Sequence, residues 1–309
     1  KGWLPLEDDV AADEPVVPQT QKGIIAFGSH GGGVSNLITS SGVVGSDVTA
    51  VGTSRQGLGA ATFGLDKAIF AFGSDGDSNN SSVSNLVSNS GVVATDTTGV
   101  GTARNGLPAA EYGVDKAIFA YGYAGGNVSM SNLVSSSGVV ATDVTGVGSA
   151  RAYLAATRYG LDKAIFGFGK ISSRVSMTNL VSNTGVIASD VTGVGTARQS
   201  ITGTGYGTTG QALFAYGYTG SAFLATSNLI SNTGVVATDT SGTNDAKSNR
   251  SATNYGGDKA IYAFGYHADT DSYINTRNLV SNVGVIAADA SGAGTARQVA
   301  PGAGYSTSA

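Results

Sequence analysis

Charged side chains that recur at fixed intervals are the first candidates for chemistry in this sequence. Each repeat carries a cation, and an aspartate stands eight residues before it. The cations are Arg55, Arg104, Arg151, Arg198, Lys247 and Arg297. The aspartates are Asp47, Asp96, Asp143, Asp190, Asp239 and Asp289. Catalysis needs a few different groups in distinct roles, whereas a residue present in every repeat serves a need common to all. We therefore predict structural roles, with each aspartate capping its own turn and each arginine reaching strand ends or the neighbouring repeat. The alternative is a ring of six cations at a channel mouth, holding an anion.

The remaining residues give little support to catalysis. There is no cysteine, and His30 and His267 are the two histidines. No carboxylate pair recurs, although a glycosidase needs two carboxyl groups about 5–9.5 Å apart. We therefore predict that the protein is not an enzyme and needs no cofactor.

One loop resembles part of a calcium site. Asp75, Asp77 and Asn79 alternate like oxygen ligands, but the glycine and later glutamate of a full calcium loop are missing. We interpret residues 75–80 as a polar loop, keep Ca²⁺ as a weak alternative and expect no metal.

The composition excludes several partners. Charged residues make up 12% of the chain, about half the usual share, and the net charge is −4. No basic patch is available for a phosphate backbone, so we expect no nucleic-acid binding. No apolar run approaches the ~18 residues of a membrane span, so we expect no membrane insertion.

Internal repeats determine the predicted architecture. The block "DKAIFAFG" at 66–73 returns at 115–122, 162–169, 210–217 and 258–265, with a shorter copy at 22–28. Each copy is followed by a block such as "SNLVSNSGVVATDTTGVGTAR" (84–104). Short runs rich in β-branched and aromatic residues, bounded by Gly and Asn, predict four strands per unit. A period of ~45–50 residues with four strands is typical of a propeller blade. We predict an all-β, six-bladed β-propeller over 22–309, in which the C-terminal segment 298–306 supplies the innermost strand of the first blade.

The repeat unit also resembles a known family. An arginine before the inner strand, then an aromatic-Gly pair, then "DKAIFAYG" ending in glycine, is similar to a kelch repeat. The family's usual double glycine is absent, and the single tryptophan, Trp3, lies outside the repeats. The near-identical units further resemble repeat propellers of phage tail and appendage proteins. This resemblance implies a virion or extracellular surface location, within a larger assembly.

Residues 1–21 precede the repeats. They are acidic and proline-rich, and apolar Trp3, Leu4 and Leu6 lie near their start. We predict an extended arm or linker that docks on other virion or surface proteins, with a solvated tail as the alternative.

Variation is concentrated in the loops that follow each apolar strand. The aromatic and imidazole side chains in these loops are Tyr123, Tyr218, Phe223, Tyr266, His267 and Tyr273. A constant frame with variable loops on one side is a common design for recognition, although loops also vary because they tolerate change. We predict a non-enzymatic structural or adhesion module that binds a partner protein, host receptor or glycan through this face. A lectin-type carbohydrate-binding propeller is the alternative, and a polysaccharide-acting enzyme is less favoured.

Overall fold

The computed structural model describes residues 19–30, 33–49, 52–76, 79–242 and 244–309. Every regular element in these ranges is a β-strand. The described residues contain no helix long and apolar enough to cross a membrane. The all-β part of the prediction is therefore confirmed.

The strands of the described residues form six small antiparallel sheets of three or four strands. Sheet 1 contains β1 (Lys22–Ala26), β2 (Val34–Ile38), β3 (Val48–Thr49) and β20 (Gly302–Tyr305). Sheet 2 contains β4 (Gly59–Phe63), β5 (Lys67–Ala71) and β6 (Ser84–Val87). Sheet 3 contains β7 (Ala109–Tyr112), β8 (Lys116–Ala120) and β9 (Ser131–Val134). Sheet 4 contains β10 (Ala155–Tyr159), β11 (Lys163–Gly167) and β12 (Thr178–Val181). Sheet 5 contains β13 (Thr202–Tyr206), β14 (Gln211–Ala215) and β15 (Ser227–Ile230). Sheet 6 contains β16 (Lys247–Ser248), β17 (Ser251–Tyr255), β18 (Lys259–His267) and β19 (Ser272–Val280).

The first and the last strand of the described residues meet in sheet 1. Strand β20 pairs antiparallel with β1, with Gly23 opposite Gly304 and Ile24 opposite Ala303. The C-terminal segment therefore completes the sheet that the first strand begins, as the repeat pattern predicts. Because β1 is paired on both sides, it presents no open edge to other chains.

The first strands of the sheets contact one another in a closed cycle. In this order β20, β4, β7, β10, β13 and β17 each touch the next, and β17 touches β20 again. The six apolar core clusters follow the same cycle, because each lies between two neighbouring sheets. Burial between sheets, rather than within any one of them, therefore stabilises the fold.

Backbone hydrogen bonds close the same cycle at both ends of the first strands. At one end, N–H groups donate to the carbonyl of the preceding unit over 2.8 to 3.2 Å. This inner ring consists of Gly57, Gly106, Tyr153, Ser200, Asn249 and Val299. We call this end the loop face, since there the second strand of each sheet passes to the third, as at residues 121–130.

The opposite end is the turn face, where the first strand turns into the second, as at residues 113–115. Here the donors Gly64, Gly113, Gly160, Gly207, Gly256 and Ser306 lie 2.7 to 2.9 Å from carbonyls of the next unit. The donor of the last unit, Gly256, reaches Gln21, just before β1. Residues at both chain ends thus take part in a continuous ring.

In sheets 2 to 6 the outermost segment differs from the prediction of a fourth strand, whereas in sheet 1 it contains the two-residue strand β3, which pairs with β2. In sheet 2 it forms only two isolated bridges to β6, Val93 with Val87 and Thr97 with Ser84. The side-chain Nδ2 of Asn85 donates to the backbone carbonyl of Ala94 instead, over 3.1 Å. A side chain thus takes the place of a ladder hydrogen bond, which explains why regular pairing is lost.

Candidate functional site

The recurring arginines are buried and form hydrogen bonds between separate segments of the chain. They do not lie as exposed cations at a channel mouth. Arg104 is fully buried. Its Nη2 donates to Oδ1 of Asn132 over 2.6 Å, and its Nε donates to the carbonyl of Tyr121 over 2.8 Å. The guanidinium carbon lies 4.2 Å from the centroid of the Phe72 ring, which belongs to the preceding sheet. Burial lowers the pKa of Arg104 to about 10, opposed by the nearby charge of Asp143.

The recurring aspartates complete the same network. Asp143 accepts hydrogen bonds from Asn132, 2.9 Å away, and from the backbone and hydroxyl of Thr102, at 3.0 and 2.6 Å. The predicted cap of its own turn is not what the structure contains. Asp143 instead ties the outer segment of sheet 3 to the segment that leads into β7. Partial burial opposes ionisation, but the hydrogen bonds from Thr102 and Asn132 outweigh it and hold the pKa of Asp143 below its usual value.

We call this arrangement the arginine latch. It recurs with Asp96 on Thr53, Asp190 on Ser149, Asp239 on Thr196 and Asp47 on Thr295. Its arginines reach the asparagine of the third strand, as in Arg55 to Asn85, Arg151 to Asn179, Arg198 to Asn228 and Arg297 to Asn36. These asparagines are fully buried. Sequence reasoning missed them, although a repeated asparagine inside a strand-forming block, where asparagine is disfavoured, was a usable signal.

One unit divides the latch between two residues. Lys247 stands in the arginine position, and its Nζ donates to Asp289 over 2.7 Å. Arg250, three residues later, donates to Oδ1 of Asn278 over 2.8 Å and lies over the ring of Tyr216. The other units carry Leu58, Leu107, Leu154, Ile201 and Ala300 at the position of Arg250.

Four of the six predicted binding residues lie together on the loop face. The ring centroids of Tyr218 and Phe223 are 4.7 Å apart, those of Phe223 and Tyr266 5.6 Å, and those of Tyr266 and Tyr273 6.1 Å. All four are half-buried.

Two further side chains extend this group. The ring of His30 lies 4.3 Å from Tyr273, and the guanidinium of Arg174 lies 5.4 Å from Tyr218. We call these six side chains the aromatic row; they come from loops of sheets 1, 5 and 4 and from the paired strands β18 and β19 of sheet 6, which extend through the segment predicted as a loop. His30 and Arg174 were missed as binding candidates, and their positions in the variable loops were the available signal.

The other two predicted binding residues lie elsewhere. Tyr123 is 39% exposed and forms its backbone bridges with Asn105 and Asn127. His267 pairs with Asp245, with 3.1 Å between Nε2 and Oδ2.

The calcium candidate is engaged in its own hydrogen bonds. Asn79 directs its backbone N–H and its Nδ2 at the carboxylate of Asp75, at 3.2 and 2.9 Å. The carboxylate of Asp75 therefore accepts hydrogen bonds from within its own loop. Asp77 lies outside the described residues, and so do Trp3, Leu4 and Leu6 of the predicted arm. No cluster of three or more metal-ligating side chains occurs among the residues described.

An axial cavity of about 330 Å³ opens within the inner ring. A smaller space of about 70 Å³ continues it towards the turn face. Both are lined by one row of small residues, one from each first strand: Ala60, Ala109, Ala156, Gly203, Ala252 and Gly302. The described residues thus enclose a passage along the axis, wider on the loop face.

A polar contact closes the narrow end of this passage. Arg158 donates to Glu111 over 2.9 Å from Nη1 and to the side-chain oxygen of Gln19 from Nη2. Arg158 belongs to sheet 4 and Gln19 leads into sheet 1, on the opposite side of the cycle. Burial raises the pKa of Glu111, and the charge of Arg158 partly offsets this effect.

Comparison with known proteins adds no family. No protein-family model matches the sequence, and no curated protein matches it.

Proposed function

We propose that the chain is a six-bladed β-propeller of kelch-like units that serves as a non-enzymatic binding module of a virion or cell surface. In this proposal each small sheet is one blade, the loop face contacts a partner protein, host receptor or glycan, and the turn face points towards the rest of the assembly. The aromatic row is the observation that carries the binding role.

The frame suits such a role because it is rigid and cyclic. Two rings of backbone hydrogen bonds and buried guanidinium contacts hold neighbouring sheets together. Loops anchored on such a frame keep their side chains in fixed positions, which lowers the entropic cost of binding.

The aromatic row suits contact with a partner. Tyrosine rings supply large apolar area and a polar tip at little cost in conformational entropy. The rings also contact one another, so they are already ordered before a partner arrives. Tyr218 further directs its hydroxyl at the carbonyl of Gly220 over 2.6 Å, which fixes the ring.

The polarity of the molecule supports separate attachment and binding. Gln21 and Ser306 are joined by a backbone hydrogen bond of 2.7 Å on the turn face, opposite the aromatic row. The described residues begin at Gln19 on this face, away from the loops, so an arm docked there on a virion or surface protein would leave the loops unobstructed. The surface setting itself rests on the resemblance of the repeats to phage appendage propellers.

A lectin-type propeller is the second candidate, and the aromatic row favours it as well. Half-buried tyrosine rings provide the flat faces on which the C–H surfaces of sugars pack. A lectin would release an immobilised glycan when free sugar is added, whereas a protein-binding module would not.

The experiment compares one variant of the row with a matched control. Labelled protein is applied to panels of immobilised glycans and of bacterial cells, and Phe223→Ala/Tyr273→Ala is compared with Val92→Ala/Val139→Ala, which truncates two exposed side chains of the outer segments. We expect retention on at least one surface, reduced tenfold or more by the double variant and unchanged by the control. Absence of retention on every surface, or equal loss in both variants, would contradict the proposal.

A further inference from the structure

We propose that the axial cavity is a separate binding site for a small, uncharged polyhydroxy ligand, namely a mono- or disaccharide or a similar polyol. The ligand would enter from the loop face and rest towards Glu111 and Arg158. This site is distinct from the aromatic row, and its occupation does not depend on the proposed surface-binding role.

The first argument is space. A volume of about 330 Å³ lies at the lower end of the range of ~300–1,000 Å³ found for small-molecule sites. The row of alanines and glycines on the first strands keeps the axis open, where one larger side chain per unit would fill it. All six sheets contribute to the lining.

The second argument is the shape of the passage. Arg158 joins Glu111 of sheet 3 to Gln19 beside sheet 1, so its hydrogen bonds cross the axis and close the narrow end. Thr62 and Asn254 add contacts of 2.9 and 2.8 Å to the carbonyls of Gly304 and Gly205 at the same level. The wide end is edged by Tyr153, which is 40% exposed. The passage is therefore a cup that opens towards the loops.

The third argument is the chemistry of the lining. Its walls carry Ala109, Pro108 and Pro301, against which C–H groups pack, and amide side chains surround the opening. Asn105 donates from Nδ2 to Asn80 and Asn249 donates from Nδ2 to Gln298, at 2.8 and 2.9 Å. These contacts orient the two side-chain amides. Within the part of the chain that the structure describes, the Oδ1 atoms of Asn105 and Asn249 remain available to accept hydrogen bonds from ligand hydroxyls.

The balance of charge selects a neutral ligand. Charged side chains in the lining are Glu111, Arg158 and Arg250. Glu111 and Arg158 form an ion pair, and Arg250 directs its guanidinium at Asn278, between the sheets. A charged ligand would enter a partly dehydrated space without a free counter-charge, which is costly. Hydroxyl groups meet a smaller cost, because they carry no net charge and hydrogen bonds to the lining can replace their hydrogen bonds to water.

The fourth argument is the position at which the repeats diverge. The residues that face the narrow end are Thr62, Glu111, Arg158, Gly205, Asn254 and Gly304. The next residue is aromatic in every unit: Phe63, Tyr112, Tyr159, Tyr206, Tyr255 and Tyr305. If these positions served only to fill the axis, the same residue type could occupy all six of them. An asymmetric set of donors and acceptors matches an asymmetric molecule instead.

The test uses defined sugars as probes. Isothermal titration and saturation-transfer NMR are carried out with glucose, galactose, mannose, N-acetylglucosamine and sucrose, alongside glucuronate and glucosamine as charged probes. We expect at least one neutral sugar to bind with a Kd in the millimolar range or tighter, and the charged probes to bind at least tenfold more weakly. Absence of binding by every neutral probe, or preference for a charged one, would overturn the proposal.

Two variants locate the site. Ala109→Phe fills the cup and should weaken neutral-sugar binding at least tenfold, whereas Val139→Phe, on an exposed position of the outer segment, should leave it unchanged. Glu111→Gln has nearly the same shape but leaves Arg158 without its counter-charge, so relative affinity should move towards glucuronate. Thermal unfolding verifies that each variant is folded. If Ala109→Phe does not fold, the shift in relative affinity of Glu111→Gln provides the test.

The same measurements separate this site from the aromatic row. Sugar binding that persists in Ala109→Phe but disappears in Phe223→Ala/Tyr273→Ala would refute the cup and support the row. Loss in Ala109→Phe alone would support the cup whatever the outcome of the surface panels.

Discussion

The guanidinium carbon of Arg297 lies 3.9 Å from the centroid of the Phe264 ring, across the boundary between the last sheet and the first. The same relationship joins Arg104 to Phe72 and Arg198 to Phe168 between sheets that are consecutive in the chain. The boundary between sheet 6 and sheet 1 is therefore stabilised by the same arginine–aromatic contact as the boundaries between sheets that follow one another in the chain. The stability of the ring depends on this latch being repeated without interruption.

Replacing one latch arginine should be strongly destabilising. Arg151→Met removes the donor to Asn179 and the charge that faces Asp190, leaving buried polar groups without partners. Arg151 supplies two buried hydrogen bonds, to Asn179 and to the carbonyl of Phe168, and each buried acceptor left without its donor costs about 1–3 kcal/mol. Urea unfolding at pH 7 measures the loss.

The control for this variant is Lys116→Met. Lys116 also pairs with an aspartate, Asp115, but its side chain is 44% exposed. An exposed pair is worth about 0–1 kcal/mol, so the control should change little. Equal losses in the two variants would show that burial of the arginine is unimportant.

Stability should fall in acid through the latch aspartates. Their pKa values are lowered in the folded protein, as at Asp143 and Asp190, because hydrogen bonds from Thr102 and Ser149 outweigh the opposing effect of burial. An unfolded aspartate has a pKa of about 3.9, so the unfolded chain takes up protons first as the pH falls. The stabilisation is therefore complete above about pH 4 to 5 and is lost progressively below it.

Unfolding in urea at a series of pH values from 7 to 3 measures this effect. The variant Asp190→Asn should be less stable than wild type at pH 7 and should show a shallower decline in acid. A wild-type profile that stays flat to pH 3 would contradict the role assigned to these carboxylates.

The divided latch of sheet 6 should be convertible to the common form. Arg250→Leu alone leaves Asn278 without its donor and should cost about 1–3 kcal/mol. The double variant Lys247→Arg/Arg250→Leu recreates the arrangement around Arg104 and Leu107 and should recover much of that loss. A double-mutant cycle in urea measures the coupling, and simple additivity of the two single effects would contradict the division of roles.

One hairpin turn carries a residue that is poorly suited to its backbone. Gly113 and Val114 both have positive φ, at 58° and 74°, as a two-residue hairpin turn of this kind requires. A β-branched residue is strained there, and the same position in sheet 6 holds Gly257 at φ 79°. Val114→Gly should stabilise the protein by about 0.5–1 kcal/mol, because relief of strain exceeds the added entropy of the unfolded chain.

The matched control is Val139→Gly, at an exposed valine with an ordinary backbone angle. It should destabilise the protein slightly, since glycine gains only freedom in the unfolded state. A loss of stability in Val114→Gly as well would show that the strain is absent.

The all-β fold was predictable because the sequence contains six copies of one strand-forming unit. Apolar blocks, turn glycines and the small-residue segment at the C-terminus predicted short strands and the pairing of the two chain ends. The outer segment was predicted as a strand, because propensity does not reveal that the Asn85 side chain takes a ladder position. The partner of each aspartate was also mistaken, since Asp143 and Thr102 lie far apart in sequence and meet only through the register of the sheets.

The candidate sites were predictable in part. Tyr218 and Tyr273 were identified from the variability of their loops, but which rings touch depends on how adjacent loops lean together. The axial cup was missed entirely, because a cavity on the axis exists only after six distant segments are assembled. Glu111 and Arg158 lie 47 residues apart in the sequence, and only the cycle of sheets brings them into contact.

The pairing of β1 with β20 has a mechanical consequence. Lys22 lies opposite Tyr305, so the chain enters β1 and leaves β20 at the same end of the strand pair, on the turn face. Tension applied between the two ends would open the pair one hydrogen bond at a time, like a zipper, and would release the ring at low force. Tension between the N-terminal end and a ligand on the loops would instead pull β1 along its length against β2 and β20, so that all their hydrogen bonds resist together. A molecule tethered at one end and holding a target on its loops is thus loaded in its strong direction.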